Sequence, residues 1–316
     1  MSQIKPKTMS QVLQNTSGPI PFRMTNDYLF KALLQQNKTV LKAFVSSLLK
    51  LEPDTLSDLT VTNPIILGEK IDEKEVVLDV NVQFTNDTML DLEMQVVQQE
   101  YWPARSLYYT MREASRLKKG QPYDSLSLTH HIGLLDFQLF ADHPFFYDTY
   151  KLMSIHDHYV YTDLISIGCV DLTNIDLASE EDRRYNVDKW AGLFKCTTWE
   201  EIKMLVKDNA AIMEAAETIY EISEDERIRQ RMEAREDYYR CQRTERMRFA
   251  RLRQELSDAK QEAEDAKQEA EDARQALADK DAALADKNAE LASSRVQIAD
   301  KDAEIARLRA ELAGRK

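Results

Sequence analysis

The chain has 316 residues, 43% of them hydrophobic and 31% charged, with a formal net charge of −13. This composition is sufficient to bury a core, and without an apolar run of about 18 residues it excludes a membrane protein. The N-terminus lacks the apolar region of a secretory signal, so we expect a soluble, cytoplasmic protein. The three cysteines form no CxxC pair, which argues against a disulfide framework or a zinc knuckle.

The first 222 residues indicate a disordered segment followed by a mixed α and β domain. We expect disorder over residues 1–22 and one amphipathic helix of about 24 residues within 23–50. Alternating apolar residues then predict three strands and, after a helix, two more. The predicted strands are Leu59–Leu67, Glu75–Phe84, Thr88–Val97, Thr129–Phe137 and Tyr159–Val170, and the predicted helix between the third and fourth is Tyr101–Lys119.

The C-terminal third is predicted to be one long helical region, because neither Gly nor Pro occurs between Gly192 and Gly314. Its first part, residues 223–255, includes an arginine-rich block at 227–253 with a net charge of +6, while residues 1–222 carry −11. A basic stripe on one element can contact phosphate whatever the total charge. The acidic total therefore does not exclude DNA or RNA as a partner.

Residues 256–316 repeat with a period of seven, which is typical of a supercoiled helix. The residues at the first core position are Leu256, Ala263, Ala270, Leu277, Leu284, Leu291, Ile298, Ile305 and Leu312. The second core position holds alanines, then Lys280, Lys287, Ser294 and Lys301, so the seam is half polar. We expect a homo-oligomer, most simply a dimer, through this tail. The alternative is a single charged helix held by i,i+4 pairs.

Two carboxylates are predicted to converge on one face of the sheet. The strand EVVLDVNVQF places Asp79 on its polar face, and TMLDLEMQVV does the same for Glu93 and Gln95. A three-residue loop, Thr85-Asn86-Asp87, would pair Phe84 with Thr88, and continuing that register pairs Asp79 with Glu93. Opposed side chains in an antiparallel pair lie about 4.5–5.5 Å apart at Cβ.

Paired carboxylates repel one another unless a cation joins them, and hard oxygen ligands suit Mg²⁺ or Mn²⁺. Gln95 points the same way as Glu93 and could hydrogen-bond a bound water or a phosphate oxygen. The alternative is an ordinary polar sheet face, and this spacing alone does not separate the two. The histidines at 130, 131, 156 and 158 are interpreted as structural or exposed, since no third ligand is evident.

The order of elements and their motifs resemble the PD-(D/E)xK nuclease fold, an α+β (α/β) restriction-endonuclease-like core. More narrowly, residues 24–140 resemble the Rpn-type recombination-promoting nucleases, also called PD-(D/E)xK family transposases. The matching stretches are NDYLFK, LDVNVQ, LDLEMQ, the helix with Arg105, Tyr108 and Tyr109, KKGQPYDSL and HIGLLDFQLF. The resemblance covers a little over a third of the chain, and the co-occurrence of these stretches in order is its specific part.

The resemblance implies metal-dependent cleavage of DNA, with Asp79 and Glu93 as metal ligands and Gln95 at the position where the broader fold usually has Lys. Gln95 keeps the hydrogen-bonding capacity of that position and lacks its charge. Lys31, at the end of NDYLFK, could supply the charge if the first helix packs over the site. Lys31 and Arg105 are the expected DNA-contacting cations of the domain.

We therefore expect a Mg²⁺- or Mn²⁺-dependent endodeoxyribonuclease, with domains at 23–222, 223–255 and 256–316. A link to recombination or mobile elements follows from the resemblance alone. Arg240, Arg243 and Arg251 are expected to contact the DNA backbone; the alternative is a solvated helix partly packed on the domain. A nuclease-like protein without activity, acting through its helical tail, is the alternative function.

Overall fold

The computed structural model describes residues 9–52, 55–56, 58–65, 79–98, 101–117 and 120–313. The chain consists of two compact units. The first unit ends at Thr244, and the second begins at Glu245. The first unit is a mixed α+β domain that contains the whole sheet. The predicted fold class is therefore confirmed. Among the described residues, no helix is both long and apolar enough to cross a membrane.

Residues 9–22 are ordered, which corrects the predicted disorder of the N-terminal segment over that range. Helix α1 (Gln11–Asn15) is capped by the Ser10 side chain and buries Leu13 completely. The backbone of Ile20 donates a hydrogen bond to Thr197 at 2.8 Å. The segment is mostly polar, which led to the prediction of disorder, but its few apolar side chains pack on the core.

The single helix predicted within residues 23–50 is two helices, α2 (Asp27–Gln36) and α3 (Lys38–Leu48). Asn37 separates them with an extended backbone, and its side chain accepts hydrogen bonds from the amides of Thr39 and Val40. An asparagine with these bonds is an N-cap, and it starts a new helix where the apolar periodicity alone predicts continuation.

Within the described part of the chain, six strands form one sheet in the order β1-β2-β3-β4-β6-β5. The strands are β1 (Leu59–Val61), β2 (Val80–Phe84), β3 (Met89–Gln95), β4 (Thr129–Leu135), β5 (Tyr147–Tyr150) and β6 (Ile165–Asp171). Strands β3, β4 and β6 run parallel, and the other neighbours are antiparallel. The predicted residues 66–67 of the first strand and 75–78 of the second lie outside the described residues. The edge strand β5 was not predicted.

The hairpin between β2 and β3 has the predicted loop and register. The amide of Phe84 donates to Thr88 at 2.9 Å, and Asp87 takes a left-handed backbone with φ of 62°. Val80 then pairs with Leu92, so Asp79 falls opposite Glu93 one step further along. A residue in the left-handed region at the third loop position is common in three-residue hairpin loops, and Asp and Asn tolerate it best.

Helices cover both faces of the sheet. On one face, α2 and α3 pack with the buried helix α8 (Ala210–Glu224) over Val80, Val82, Leu90 and Leu92. On the other face, α4 (Trp102–Ala114) packs against β4 and β6 through Trp102. The other α-helices described in the first unit are α5 (Glu180–Arg184), α6 (Val187–Lys195) and α7 (Trp199–Leu205). Lys118 and Lys119, at the end of the predicted fourth helix, lie outside the described residues.

The last helix, α9 (Glu226–Ala313), includes both the arginine-rich block and the heptad repeats. Its first residues belong to the first unit, where Ile228, Met232 and Tyr239 are buried. This packing extends the first unit beyond residue 222, where the sequence predicted its end. From Glu245 onwards, every residue of the helix whose side chain is described is exposed.

We predict that Gly133→Ala destabilises the first unit by about 2 kcal/mol, within the cost of overpacking a core. A Cβ at Gly133 would lie 2.3 Å from Cζ2 of Trp102, which is buried between α4 and the sheet. The measurement is urea unfolding followed by tryptophan fluorescence, because all three tryptophans lie before residue 200. The control is Gly192→Ala in α6, where the nearest side-chain atoms are 3.6 Å away. Equal unfolding curves for the two variants would contradict the prediction.

Candidate active site

Three acidic side chains share one face of the sheet: Asp79 just before β2, and Asp91 and Glu93 within β3. Asp91 pairs with Asn81 across the hairpin, and the same register puts Asp79 opposite Glu93. Glu93 is 2% exposed and Asp91 is 8% exposed. The alternation of β3 brings Asp91 and Glu93 to the face that α4 covers, while Leu90 and Leu92 face the main core. The structure thus brings together the two predicted carboxylates and adds a third.

Burial makes it costly for Asp79 and Glu93 to be ionised. Burial, followed by the charges of Asp91 and Glu93, raises the pKa of Asp79 to about 9. Burial also raises the pKa of Glu93, against the opposing effect of Arg105. A buried carboxylate with a raised pKa needs either a proton or a nearby cation. The pair is therefore an incomplete electrostatic arrangement that a positive charge would stabilise.

Two predicted cations lie at this cluster. Nη2 of Arg105 is 3.1 Å from Oε1 of Glu93, and the guanidinium carbon is 5.4 Å from the ring centre of Tyr109. Nζ of Lys31 donates a hydrogen bond to the main-chain oxygen of Asp79 at 2.8 Å, and the residue is 4% exposed. Each cation lowers the pKa of Asp79 by its charge. Lys31 lies within the cluster and not on an open DNA-facing surface.

Gln95 lies on the same strand two residues beyond Glu93 and is buried. Its Nε2 donates a hydrogen bond to the main-chain oxygen of Val97 at 2.9 Å. The amide nitrogen is thus held by the backbone where the strand ends. The role predicted for Gln95, a hydrogen bond to a bound water or phosphate, stays a prediction.

His131, interpreted from sequence as structural or exposed, belongs to the cluster. Its Nδ1 is 2.8 Å from Oδ2 of Asp91, and its Nε2 is 3.7 Å from Oε2 of Glu93. Burial lowers the pKa of His131, but the hydrogen bond and charge of Asp91, with the charge of Glu93, raise it overall. The parallel pairing of β3 with β4 places His131 beside Asp91. The sequence predicted both strands but not their register, so it gave no signal for this contact.

A second buried ion pair lies at the start of α2 and was also missed. Arg235 of α9 donates from Nε and Nη2 to the carboxylate of Asp27, at distances of 2.6–2.9 Å. The two side chains are 16% and 4% exposed, and the guanidinium lies over the rings of Tyr238 and Tyr239. The charge of Asp27 also contributes to the raised pKa of Glu93. The first part of α9 is therefore tied to the helix that carries Lys31.

The three arginines predicted to contact the DNA backbone are not gathered at this cluster. Arg240 is exposed, and its Nη1 lies 2.9 Å from Oδ1 of Asp237. It lines a cavity of about 770 Å³ together with Glu236. Arg243 is half-buried, and Arg251 is exposed in the second unit. Their contact with DNA stays a prediction.

The donor set at the cluster fits a small divalent cation held by few protein ligands. Among the described residues, no group of three or more His, Cys, Asp or Glu side chains is arranged to hold a metal ion. Mg²⁺ in phosphoryl-transfer sites is usually bound by only one or two carboxylates together with waters and substrate phosphates. Oδ1 of Asp79 is buried and receives no hydrogen bond from a described residue. Asp79 and Glu93 thus match what such a cation requires.

The chain is similar to one known protein family. The model of the PD-(D/E)XK nuclease family transposases matches residues 24–248. The chain belongs to the PD-(D/E)XK nuclease family transposases. The match includes the whole sheet, the carboxylate cluster and the start of α9. No curated protein and no solved structure matches the chain.

We predict that Asp79→Asn stabilises the metal-free protein increasingly as the pH rises. In the folded state the protonated form of Asp79 is favoured, because burial raises the pKa of this carboxyl from its ordinary value of 3.8 to about 9. The wild-type residue therefore costs stability progressively between pH 4 and 9, and the amide variant avoids that cost. The difference in unfolding free energy should be near zero at pH 4 and about 1 kcal/mol or more at pH 8.

The measurement is urea unfolding at several pH values in the presence of a chelator. Asp87→Asn, in the exposed hairpin loop, is the control and should show no such growth. A constant difference between Asp79→Asn and the wild type across this pH range would contradict the raised pKa.

Proposed function

We propose that the protein is a metal-dependent endodeoxyribonuclease that hydrolyses phosphodiester bonds of DNA. Membership of the PD-(D/E)XK nuclease family transposases supports a nuclease-related function. The observation that carries the proposal is the register of β2 and β3, which sets Asp79 opposite Glu93. The two lie in a buried cluster whose negative charge is not fully compensated. A purely structural polar face would not need to bury acidic side chains at this cost.

Asp79 and Glu93 would hold one Mg²⁺ or Mn²⁺ ion. When bound, such an ion neutralises a phosphate oxygen and lowers the pKa of a coordinated water, which makes it a nucleophile at neutral pH. The chain's own contribution is to orient the two carboxylates. Arg105 fixes Glu93 through its ion pair, and Lys31 fixes the backbone of Asp79.

The remaining polar residues support this arrangement. His131 bonds to Asp91 and lies beside Glu93, so it limits the rotation of both carboxylates. Gln95 would hydrogen-bond the phosphate or water through its amide, while its bond to Val97 orients the side chain. Because the pKa of Asp79 is raised to about 9, cation binding would displace a proton and should strengthen as the pH rises.

Three further attributes are part of the proposal. The protein would act as a homodimer through its C-terminal helix, in the cytoplasm, and in recombination or the movement of mobile elements. The dimer draws support from the exposed heptad repeats of α9. The cellular role draws support only from the transposase description of the family.

The second candidate is a nuclease-like protein without activity that acts through its helical tail. The replacement of the usual Lys by Gln95 favours it, because one positive charge is missing at that position. Lys31 and Arg105 at the cluster weigh against it, since they supply positive charge beside the two carboxylates.

We predict that purified protein nicks plasmid DNA in Mg²⁺ or Mn²⁺, and that Asp79→Ala and Glu93→Ala each reduce the rate by about 100-fold or more. Each variant removes one of the two ligands of the ion. Calorimetric titration with Mn²⁺ should show weaker binding by the same two variants. The matched control is Asp87→Ala, an acid in the loop of the same hairpin, which should leave both rate and affinity unchanged.

Equal nicking by the wild type and both site variants would reject the site assignment. Loss of Mn²⁺ binding on mutation, with no cleavage by the wild type under any condition, would favour the second candidate.

We predict that replacing Arg240, Arg243 and Arg251 with Gln weakens DNA binding for every sequence and flattens its salt dependence. If each arginine contacts one phosphate, the slope of log K against log salt should fall by about 0.9 per residue. The measurement is fluorescence anisotropy of a labelled duplex at several salt concentrations, with Ca²⁺ in place of Mg²⁺. The charge-matched control replaces Arg183, Arg184 and Lys189. An unchanged slope in the first variant would refute the contact.

A further inference from the structure

The tail presents an apolar stripe whose Leu and Ile side chains are exposed. The residues of this stripe, named here the seam, recur every seven positions and are Leu256, Ala263, Ala270, Leu277, Leu284, Leu291, Ile298 and Ile305. The six Leu and Ile side chains of the seam are 46–61% exposed. Aliphatic side chains at this spacing along one helix are typical of a coiled coil, in which a second helix covers them.

Charges of opposite sign flank the seam. The positions just before seam residues, named the glutamate flank, hold Glu255, Glu262, Glu269, Glu290 and Glu304. The positions four residues after seam residues, named the basic flank, hold Lys260, Lys267, Arg274, Arg295 and Arg309. In a coiled coil these are the g and e positions, whose charges select the partner and its orientation.

We propose that the partner is a second copy of this chain, aligned parallel and in register as a two-stranded coiled coil. In that alignment each g residue faces the residue five positions later on the other helix. Every member of the glutamate flank then meets a member of the basic flank, from Glu255 with Lys260 to Glu304 with Arg309. The other three g–e pairs along this stretch, beginning at Ala276, Ala283 and Gln297, contain no like charges.

The antiparallel alignment is electrostatically unfavourable. There, g residues face g residues and e residues face e residues, so that with Leu256 packed near Leu308 the glutamate flank would bring Glu262 against Glu304. In the same alignment Lys267 would meet Arg295 and Asp281 would meet its own copy, and only Lys260 would meet an opposite charge, that of Asp302. Like charges across such a contact are destabilising, and this repulsion selects against the antiparallel orientation.

The face of the helix opposite the seam carries polar side chains that hydrogen-bond to one another within the helix. Four glutamines donate hydrogen bonds of 2.8–2.9 Å to aspartates four residues later, again with a period of seven. The pairs are Gln254–Asp258, Gln261–Asp265, Gln268–Asp272 and Gln275–Asp279. These residues are at f and c positions, which point away from the partner in a two-stranded coil. The heptad repeat therefore places hydrogen bonds within one helix on the outer face, and places charges of opposite sign beside the seam.

The second core position does not by itself choose an orientation. It holds alanines at 259, 266 and 273, and lysines at 280, 287 and 301. Lysine at a core position lowers stability, so the apolar contact is weak over the middle of the tail. The flanking charges thus carry most of the orientation preference. Upstream of Glu255 the pattern ends, because Arg248 would face Arg253.

Parallel alignment has a consequence for the proposed function, because both chains then enter the coiled coil from the same end. The inference rests on the proposed homodimer and is independent of the proposed nuclease activity. Its tests therefore read association and orientation and not DNA cleavage.

The first test is disulfide cross-linking of full-length protein that carries Cys241→Ser, since Cys241 is exposed and the other two cysteines are buried. Leu256→Cys and Leu308→Cys are introduced separately. In a parallel, in-register dimer each variant should cross-link to itself under mild oxidation. A mixture should give no disulfide between the two different variants, because positions 256 and 308 then lie at opposite ends of the coil. In an antiparallel dimer only the mixture of the two variants should cross-link, because position 256 then packs near position 308.

The second test is sedimentation equilibrium of a charge-reversed chain. Replacing Lys260, Lys267 and Arg274 with Glu turns six attractive contacts of the parallel dimer into repulsive ones, and should weaken the dimer by about tenfold or more. An antiparallel dimer would be little affected, because Lys260→Glu loses an attraction to Asp302 while Lys267→Glu gains one to Arg295. The matched control also replaces Glu255, Glu262 and Glu269 with Lys, which should restore the parallel dimer.

Each outcome bears on the proposal. Self-cross-linking at both positions, with loss and restoration of affinity, supports it. A mixed-only cross-link, a shifted register without self-cross-linking, a trimer, or a monomer at all concentrations overturns it. Plasmid nicking by a monomeric wild type would overturn the coiled coil and leave the nuclease site intact.

Discussion

The constraint on which the first unit depends is the burial of three carboxylates on one face of its sheet. Asp91 is matched by His131 and Glu93 by Arg105, while Asp79 has a pKa raised to about 9. An uncompensated buried charge costs several kcal/mol, so the elements around the cluster must each deliver compensation. Strand β4 brings the histidine, α4 the arginine, and α2 the lysine that bonds to the Asp79 backbone. The position of these elements is thus fixed by charge as well as by apolar packing.

The part of this site that could be predicted from sequence is the part set by local geometry. The length of the three-residue loop determines the register of β2 against β3. That register alone brings Asp79 and Glu93 together. His131 could not be predicted, because the register of a parallel pair depends on packing of the crossover and not on a turn. The break at Asn37 was missed for a different reason: apolar periodicity continues through it, and only the capping bonds of its side chain reveal a new helix.

The pairing of Asp27 with Arg235 could not be predicted either, because it joins residues 208 positions apart. It links the start of α9 to the helix that carries Lys31, and so to the catalytic candidates. Arg235 offsets a carboxylate whose charge raises the pKa of Glu93. The basic helix, for which both DNA contact and partial packing on the domain were considered, therefore contributes through this one arginine to the charge balance around the sheet. The arginine block is not one functional surface: Arg235 is internal, and Arg251 belongs to the exposed tail.

In the proposed nuclease a single Asp79–Glu93 pair would serve one phosphodiester bond at a time, so cutting both strands of a duplex would require two copies. The backbones of duplex DNA are related by two-fold axes, which a two-fold protein dimer can match. In a parallel coil the two chains begin at one end, whereas in an antiparallel coil of about 52 residues the starts would lie roughly 80 Å apart at 1.5 Å per residue. The flanking glutamates and basic residues of the seam therefore decide more than the stability of the tail. By favouring parallel alignment, they favour the dimer in which the two proposed nuclease sites could approach the same stretch of DNA.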